Sequence, residues 1–238
     1  MPEVKIYQDL ESVAEHAAEE FIEKLELLSS SGKPFNIMLT GGSVGIKMLE
    51  RVSEHPKLHS LSLNHLNFWW GDERFVPNQH PDRNALQARV ALIDSLDLKA
   101  EQIHEFPAAD SGLNLAQAAE DFAVHYSDLS PSFDLVLLGV GPDGHVASLF
   151  PDHNVSNSKE DIIAEPSSPK PPSERLSFNY SVLNSATEVW FLAAGIEKSE
   201  VVEEVLRENS VNTLPAAKVS GRVRTVWFLD EASASLRK

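Results

Sequence analysis

The sequence contains no cysteine. A chain without cysteine has no disulfide framework, no thiolate metal ligand and no cysteine nucleophile, and this composition is compatible with a reducing compartment. The sequence also lacks an apolar run near the ~18 residues that a membrane span requires. Its acidic first segment has neither the basic nor the apolar region of a signal peptide. We therefore expect a cytoplasmic protein.

Basic residues are scarce. The 20 lysines and arginines stand against 36 aspartates and glutamates, which gives a formal net charge of −16. Binding to nucleic acid or to an anionic membrane requires a basic surface, so we expect neither partner. We expect a small-molecule ligand and a monomer or small homo-oligomer. If the ligand is an anion, basic residues beside glycine turns become informative, because they must act within an acidic background.

Several site motifs are also missing. His145 and His153 are separated by Pro151, and no H-E-x-x-H spacing occurs, so we expect no metal. There is no Walker A ending and no G-x-S-x-G nucleophile elbow. The glycines of "GVGPDG" match the dinucleotide pattern G-x-G-x-x-G. However, Phe150 and Pro151 would end the following helix within two turns, which disfavours NAD(P) binding.

Short apolar strands alternate with amphipathic helices along the chain, the first helix running from Ser12, a possible N-cap, to Leu28. This alternation predicts an α/β protein with a parallel sheet covered on both faces. No second core is visible, so we expect one domain over residues 1–238, with an irregular proline-rich loop at about residues 151–174. Eight of the 11 glycines follow strand ends, the edge where such sheets bind ligands.

Two segments near strand ends carry candidate anion ligands. In "LTGGSVG" (Leu39–Gly45), backbone N–H groups at a helix N-terminus suit a phosphate. The alternative is a tight turn in which Ser43 only caps the helix. In "WWGDERFVP", Arg74 follows Asp72 and Glu73, and its planar fork suits a phosphate or carboxylate. The alternative is an ion-paired loop.

Two later basic residues fit the same interpretation. Arg175 follows the proline-rich loop, and Lys198 lies in the first turn of a helix. A lysine at that end of a helix is poorly matched to the helix dipole, which suggests a ligand there. Simple exposure at the surface is the alternative for Lys198.

The segment "GPDGH" follows the strand "FDLVLL" and carries the strongest catalytic candidates. A histidine is the natural general base near neutral pH, so His145 is a candidate base. Asp143 is a candidate for orienting its ring. A structural histidine that caps a short helix is the alternative.

Six segments, in this order over nearly the whole chain, resemble the 6-phosphogluconolactonase family, within the larger group that includes glucosamine-6-phosphate deaminases. They are "LTGGS", "WWGDERFVP" with "DRNALQAR", "GVGPDGHVASLFP", "RLSFNYSVLN", "VWFLAAGIEKSEVV" and "LPAAKV". The resemblance implies a Rossmann-like three-layer αβα sandwich. It also implies hydrolysis of 6-phospho-D-glucono-1,5-lactone to 6-phosphogluconate, in the oxidative pentose phosphate pathway, without a metal or organic cofactor.

The resemblance also implies roles for individual residues. His145 matches the catalytic histidine that activates water, and Asp143 matches the acid that orients it or a sugar hydroxyl. A set of five positions matches residues that hold phosphate or substrate: Gly42, Ser43, Arg74, Arg175 and Lys198. Asp72 is expected to contact sugar hydroxyls or to support Arg74.

Two other functions remain open at this point. Deaminases of the group typically have "DGHIAFNEP" where this chain has "DGHVASLFP", so the glutamate of their ring-opening chemistry is replaced in the region of Leu149 and Phe150. This difference favours the lactonase over an isomerase or deaminase acting on amino-sugar phosphates. A non-catalytic module that binds sugar phosphates is the second alternative, and the presence of His145 disfavours it.

Overall fold

The computed structural model describes residues 1–153, 158–207 and 213–237. The strands are β1 (Glu3–Tyr7), β2 (Phe35–Leu39), β3 (Leu66–Trp70), β4 (Asp72–Arg74), β5 (Ile103–His104), β6 (Phe133–Gly139), β7 (Ile162–Glu165), β8 (Arg175–Phe178), β9 (Glu188–Ala193) and β10 (Arg224–Asp230). The helices are α1 (Leu10–Ser29), α2 (Ser43–Glu54), α3 (Asn84–Ala91), α4 (Leu115–Leu129), α5 (Tyr180–Leu183) and α6 (Ser199–Leu206). No helix in these ranges is both long and apolar enough to cross a membrane.

Seven strands form the central sheet in the order β1-β10-β9-β6-β2-β3-β5, and every neighbouring pair is parallel. Its inner strands are mostly apolar, as expected for a sheet covered on both faces; β9, for example, is buried at every position. The prediction of an α/β sandwich around a mostly parallel sheet is confirmed.

The chain order reverses between β2 and β6. From β1 the chain crosses to β2 and continues through β3 to β5 at the far edge, then returns to β6 and steps back through β9 to β10. Helices α1 and α2 pack against each other. Since crossovers between parallel strands are right-handed, this strand order puts the helices of the outward and the returning halves of the chain on opposite faces of the sheet. Such a reversal opens a crevice at the carboxyl ends of the two strands beside it.

A second sheet of three antiparallel strands, in the order β4-β8-β7, was not predicted. We expected an irregular loop at about residues 151–174. That expectation was wrong in part, because the segment contains the strand Ile162–Glu165 of this sheet. The strand was missed because its short apolar stretch lies between acidic residues and prolines, and its partner β8 comes only later in the chain. Buried side chains of both sheets belong to one hydrophobic cluster. The single-domain assignment stays a prediction.

Two local expectations were wrong. Helix α1 begins earlier than predicted, because Asp9 rather than Ser12 is its N-cap: the Asp9 side chain accepts a hydrogen bond from the Ser12 N–H at 2.8 Å. No helix follows the glycines of "GPDGH". Residues 140–153 form turns with an isolated bridge between Val146 and Leu149, and Ala147 has a φ of 49°, which is incompatible with a right-handed helix.

Candidate active site

A cleft of about 210 Å³ opens at the carboxyl ends of β2 and β6, where the chain order reverses. A hydrogen bond of 3.2 Å from the Gly139 N–H to Thr40 Oγ1 joins the two strand ends. The lining residues come from both sheets, from the start of α3 and from the segments after β2, β6 and β9 and before β8. They are Thr40, Gly41, Gly42, Asp72, Arg74, Asn84, Gly139, Val140, Gly141, His145, Ala147, Phe150, Lys170, Arg175 and Lys198.

His145 and Asp143 form a hydrogen-bonded pair in the cleft. The distance from His145 Nδ1 to Asp143 Oδ1 is 2.5 Å, and the imidazole ring packs against Phe150 with a centroid separation of 4.6 Å. Within the described ranges no hydrogen bond holds His145 Nε2. A neutral imidazole that donates from Nδ1 has its lone pair on Nε2, so the pair presents a base to the cleft.

The Asp143 carboxylate is ionised at neutral pH. Burial alone would raise its pKa, but the hydrogen bond and charge of His145 and the charge of Lys170 together lower it to about 2. An ionised Asp143 accepts the Nδ1 proton and thereby fixes the ring tautomer.

Gly141 makes the pair possible. A Cβ at this position would lie 1.9 Å from His145 Nδ1 and 2.4 Å from Asp143 Oδ1. The loop is tied back on itself, because the Gly141 N–H donates to the His145 carbonyl and the Gly144 N–H donates to the Gly141 carbonyl, both at 2.9 Å. Gly144 has a φ of 80°, which favours glycine. The glycines therefore serve the geometry of Asp143 and His145.

Asp72 is held on the opposite wall, almost wholly buried. Its Oδ2 accepts a hydrogen bond from Ser148 Oγ at 2.6 Å, and its carbonyl accepts one from Asn84 Nδ2 at 2.9 Å. Asn84 Oδ1 is buried without a hydrogen-bond partner among the described residues. A Cβ on Gly41 would meet this oxygen at 2.0 Å, so the glycine leaves room for the Asn84 amide at the cleft.

Glu73 is fully buried and ties β4 to the start of α3. Its carboxylate accepts hydrogen bonds from the backbone N–H groups of Arg74, Asn84 and Ala85 at 2.9, 2.7 and 2.9 Å. Burial raises the pKa of Glu73 to about 7, against the opposing charge of Arg83 and these three N–H donors. The contact fixes Asp72, Arg74 and Asn84 relative to one another.

Arg74 and Arg175 are directly paired across β4 and β8. Arg74 Nη1 donates to the Asp82 carbonyl at 2.6 Å, while its buried Nε has no partner among the described residues. Arg175 is buried, and its Nη1 lies 3.9 Å from Asp72 Oδ2. Burial and the neighbouring charge of Arg74 lower the pKa of Arg175, although Asp72 opposes this. The two guanidinium groups place positive charge on one wall of the cleft.

A recess of about 130 Å³ adjoins the cleft at the first glycine turn and is lined by Gly42, Ser43 and Lys198, among others. Gly42, with a φ of 85°, is the N-cap of α2, and Lys198 is the N-cap of α6. Among the described residues no side chain caps α2, so its first N–H groups lack that partner. At α6 a turn of 3-10 helix, Ile196–Lys198, comes first, and the Ser199 N–H donates to the Ile196 carbonyl. Burial, with the charge of Lys170, lowers the pKa of Lys198. The N-terminus of α2 and the ammonium group of Lys198 make the recess suitable for an anion.

The model of the glucosamine-6-phosphate isomerases/6-phosphogluconolactonase family matches residues 8–227. The chain belongs to this family.

Proteins named as 6-phosphogluconolactonases are similar over most of the chain. The 6-phosphogluconolactonase of Streptomyces coelicolor is 39% identical over 245 residues, covering 98% of this chain and 94% of that protein. The human 6-phosphogluconolactonase is 38% identical over 220 residues, covering 88% of this chain and 83% of that protein. The crystal structure of 6-phosphogluconolactonase from Thermotoga maritima superimposes with a TM-score of 0.86 at 26% identity, covering 97% of this chain and 100% of that one.

Within this family fold, the predicted site residues come together. One of the eight, Ser43, lies in the adjoining recess. The other seven line the cleft or form its hydrogen-bonded pair: Gly42, Asp72, Arg74, Asp143, His145, Arg175 and Lys198. Their roles stay predictions. Ser43 is the first residue of α2 rather than its cap, and the ring of His145 caps no helix.

Sequence reasoning missed Asn84, Ser148 and Lys170. Asn84 lies within "DRNALQAR" and Ser148 within "ASLFP". Both segments carry the family resemblance, but neither indicated a role for these two residues. Lys170 stands among prolines in "SPKPP", where a lone cation was the available signal. Among the described residues, no group of three or more His, Asp or Glu side chains is arranged to hold a metal ion.

Proposed function

We propose that the protein hydrolyses 6-phospho-D-glucono-1,5-lactone to 6-phosphogluconate, the lactone step of the oxidative pentose phosphate pathway. The observation that carries this proposal is the Asp143–His145 pair, whose Nε2 is free of protein hydrogen bonds in the described ranges and belongs to the cleft. The names of the relatives support the same substrate. We also propose that the enzyme acts in the cytoplasm, as a monomer or small homo-oligomer.

The pair suits general-base catalysis. His145 Nε2 accepts a proton from water as the water oxygen attacks the lactone carbonyl, forming a tetrahedral oxyanion. When that intermediate collapses, the bond to the ring oxygen breaks and the imidazolium returns the proton to the leaving oxygen. Asp143 holds the Nδ1 proton throughout and stabilises the transient imidazolium charge. Positioned general bases of this kind contribute roughly 10²–10⁴-fold.

Substrate positioning follows from the charge distribution. The phosphate fits the recess, where Lys198 and the first N–H groups of α2, beginning at Gly42 and Ser43, face an anion. The sugar then extends into the cleft toward Asp72 and Arg74, whose carboxylate and guanidinium suit sugar hydroxyl groups. Remote phosphate binding of this kind fixes the carbonyl beside the water.

The apolar partner of His145 supports the lactonase over a deaminase. Phe150 is 2% exposed and packs on the imidazole, in the region where deaminases carry their glutamate. An apolar ring cannot exchange a proton with an opening sugar ring.

The direct test compares the two chemistries. We expect freshly generated 6-phosphogluconolactone to decay faster with the protein than without it, measured by proton release in weak buffer. We expect no ammonia from glucosamine 6-phosphate. Ammonia release without accelerated lactone decay would replace the proposal with the deaminase. Binding of 6-phosphogluconate without either activity would favour the non-catalytic module that binds sugar phosphates.

A further inference from the structure

The guanidinium of Arg175 holds the proline-rich loop. Its Nε donates to the Pro172 carbonyl at 2.7 Å, and its Nη2 donates to the carbonyls of Lys170 and Pro171 at 3.2 and 3.3 Å. Two of its three nitrogens, Nε and Nη2, therefore bind the loop. Among the contacts of the described residues, the third nitrogen, Nη1, approaches Asp72 instead. Arg175, which the sequence assigned to substrate, therefore acts largely on the loop backbone.

The backbone of Lys170 is fixed from both sides. Besides the bond from Arg175, its carbonyl accepts a hydrogen bond from Ser168 Oγ at 3.1 Å, and its N–H donates to the same oxygen at 3.2 Å. The Lys170 side chain, about half exposed, then reaches over the cleft. Its Nζ lies 4.0 Å from Asp143 Oδ1, the same oxygen that binds His145 Nδ1.

We propose that Lys170, anchored by Arg175, is a positioning residue whose charge, held beside the Asp143–His145 pair, opposes protonation of His145. The inference rests on the proposed function, because it concerns the same general base. A positive charge beside this pair disfavours a second positive charge on the imidazole. The base form of the pair then persists to lower pH than it would without the lysine.

Other charged groups face the same pair, and they set the background for this effect. Lys198 lies across the cleft, where its pKa responds to both Lys170 and Asp143. The remaining charged groups of the cleft and its rim are Asp72, Arg74, Arg175 and Glu197. Lys170 differs from them because its ammonium group approaches the oxygen that holds the imidazole.

The test is the pH profile of lactone hydrolysis in Lys170→Met. Lys170 Nζ is 4.0 Å from Asp143 Oδ1, which is 2.5 Å from His145 Nδ1, so the ammonium lies at most about 6.5 Å from the ring nitrogen. A half-exposed, screened charge at such a distance should move the acid limb of kcat/KM up by on the order of half a pH unit. Activity below the midpoint then falls roughly 3-fold and is unchanged above it. At about 1 M salt the Debye length is near 3 Å, so the shift should shrink. Lys170→Arg keeps the charge and should restore the wild-type midpoint.

Lys159→Met is the matched control, because it removes an exposed lysine from the same segment, residues 151–174. A Lys170→Met profile equal to that of the control would overturn the inference while the proposed function stands. So would an equal loss at every pH, which would indicate that Lys170 contacts substrate directly. Absence of lactonase activity in the wild-type protein would instead overturn the proposed function.

The role of Arg175 is tested by a double-mutant cycle. Arg175→Lys keeps the positive charge that faces the pair but loses the forked donors to the loop. If Arg175 acts through Lys170, this variant should shift the midpoint in the same direction and should add no further shift in the Lys170→Met background. Additive shifts would contradict the anchoring role. Arg175→Met also removes the buried charge, so it serves as the second variant, and its shift beyond that of Arg175→Lys measures the effect of the charge alone.

Discussion

Replacing Gly141 by alanine should disable the enzyme without unfolding it. The added Cβ would lie 1.9 Å from His145 Nδ1 and 2.4 Å from Asp143 Oδ1, less than any non-bonded contact allows. The loop backbone is held by hydrogen bonds from Gly141 and Gly144, so the side chains must separate instead. Asp143 and His145 are 37% and 17% exposed, so both have solvent into which to turn.

The expected loss follows from the role of the pair. Without the hydrogen bond to Asp143, the imidazole loses its fixed tautomer and its orientation toward the carbonyl. We expect kcat to fall at least ~100-fold, which corresponds to about 2.7 kcal/mol of transition-state stabilisation. The free energy of unfolding should fall by less than about 2 kcal/mol, because no buried side chain of the core is removed.

The assay is proton release from fresh lactone, with urea denaturation of the same sample. Gly71→Ala is the matched control: a Cβ there would lie 3.6 Å from Met38 Sδ and 3.7 Å from Leu138 Cδ2, which are ordinary contacts. A near-wild-type kcat in folded Gly141→Ala would show that catalysis does not require the hydrogen bond between His145 Nδ1 and Asp143 Oδ1, and would refute the prediction.

Two further predictions concern the phosphate recess and the buried carboxyl. If Lys198 binds the substrate phosphate as proposed, Lys198→Ala should raise KM by roughly 10–100-fold with a smaller change in kcat. Unchanged saturation kinetics would remove Lys198 from the site. Burial raises the pKa of Glu73 from its ordinary 4.5 to about 7 in the folded protein. Between pH 4.5 and about pH 7, the folded protein therefore holds a proton on Glu73 that the unfolded chain has released. The free energy of unfolding should therefore fall as pH rises across that window, by up to about 3 kcal/mol. Glu73→Gln never ionises and should remove this part of the pH dependence, measured by urea denaturation at both ends of the window; an unaltered slope would contradict the assignment.

The sequence predicted the central sheet because its strands are continuous apolar runs and its helices have regular apolar faces. It also predicted the edge at which the site lies, because glycines follow the strand ends that meet there. The candidate base and acid were visible because both stand in one turn, two residues apart. These features depend on neighbours in sequence.

The other features depend on contacts between distant segments. Arg74 and Arg175 become neighbours only because β4 and β8 pair, and the short strands of that sheet give little periodic signal. Ser148 reaches Asp72 across 76 positions. The loop bonds that occupy Arg175 involve backbone carbonyls, which any sequence supplies, so its assignment to substrate could not be refined before the structure. Lys170 was overlooked for the same reason.

The central claim is that His145 is the base that activates water. It is tested most directly by steady-state hydrolysis of fresh 6-phosphogluconolactone with His145→Ala, with circular dichroism to confirm the fold. The account predicts a folded variant in which lactone decays at the uncatalysed rate. Undiminished hydrolysis by the folded variant would contradict it.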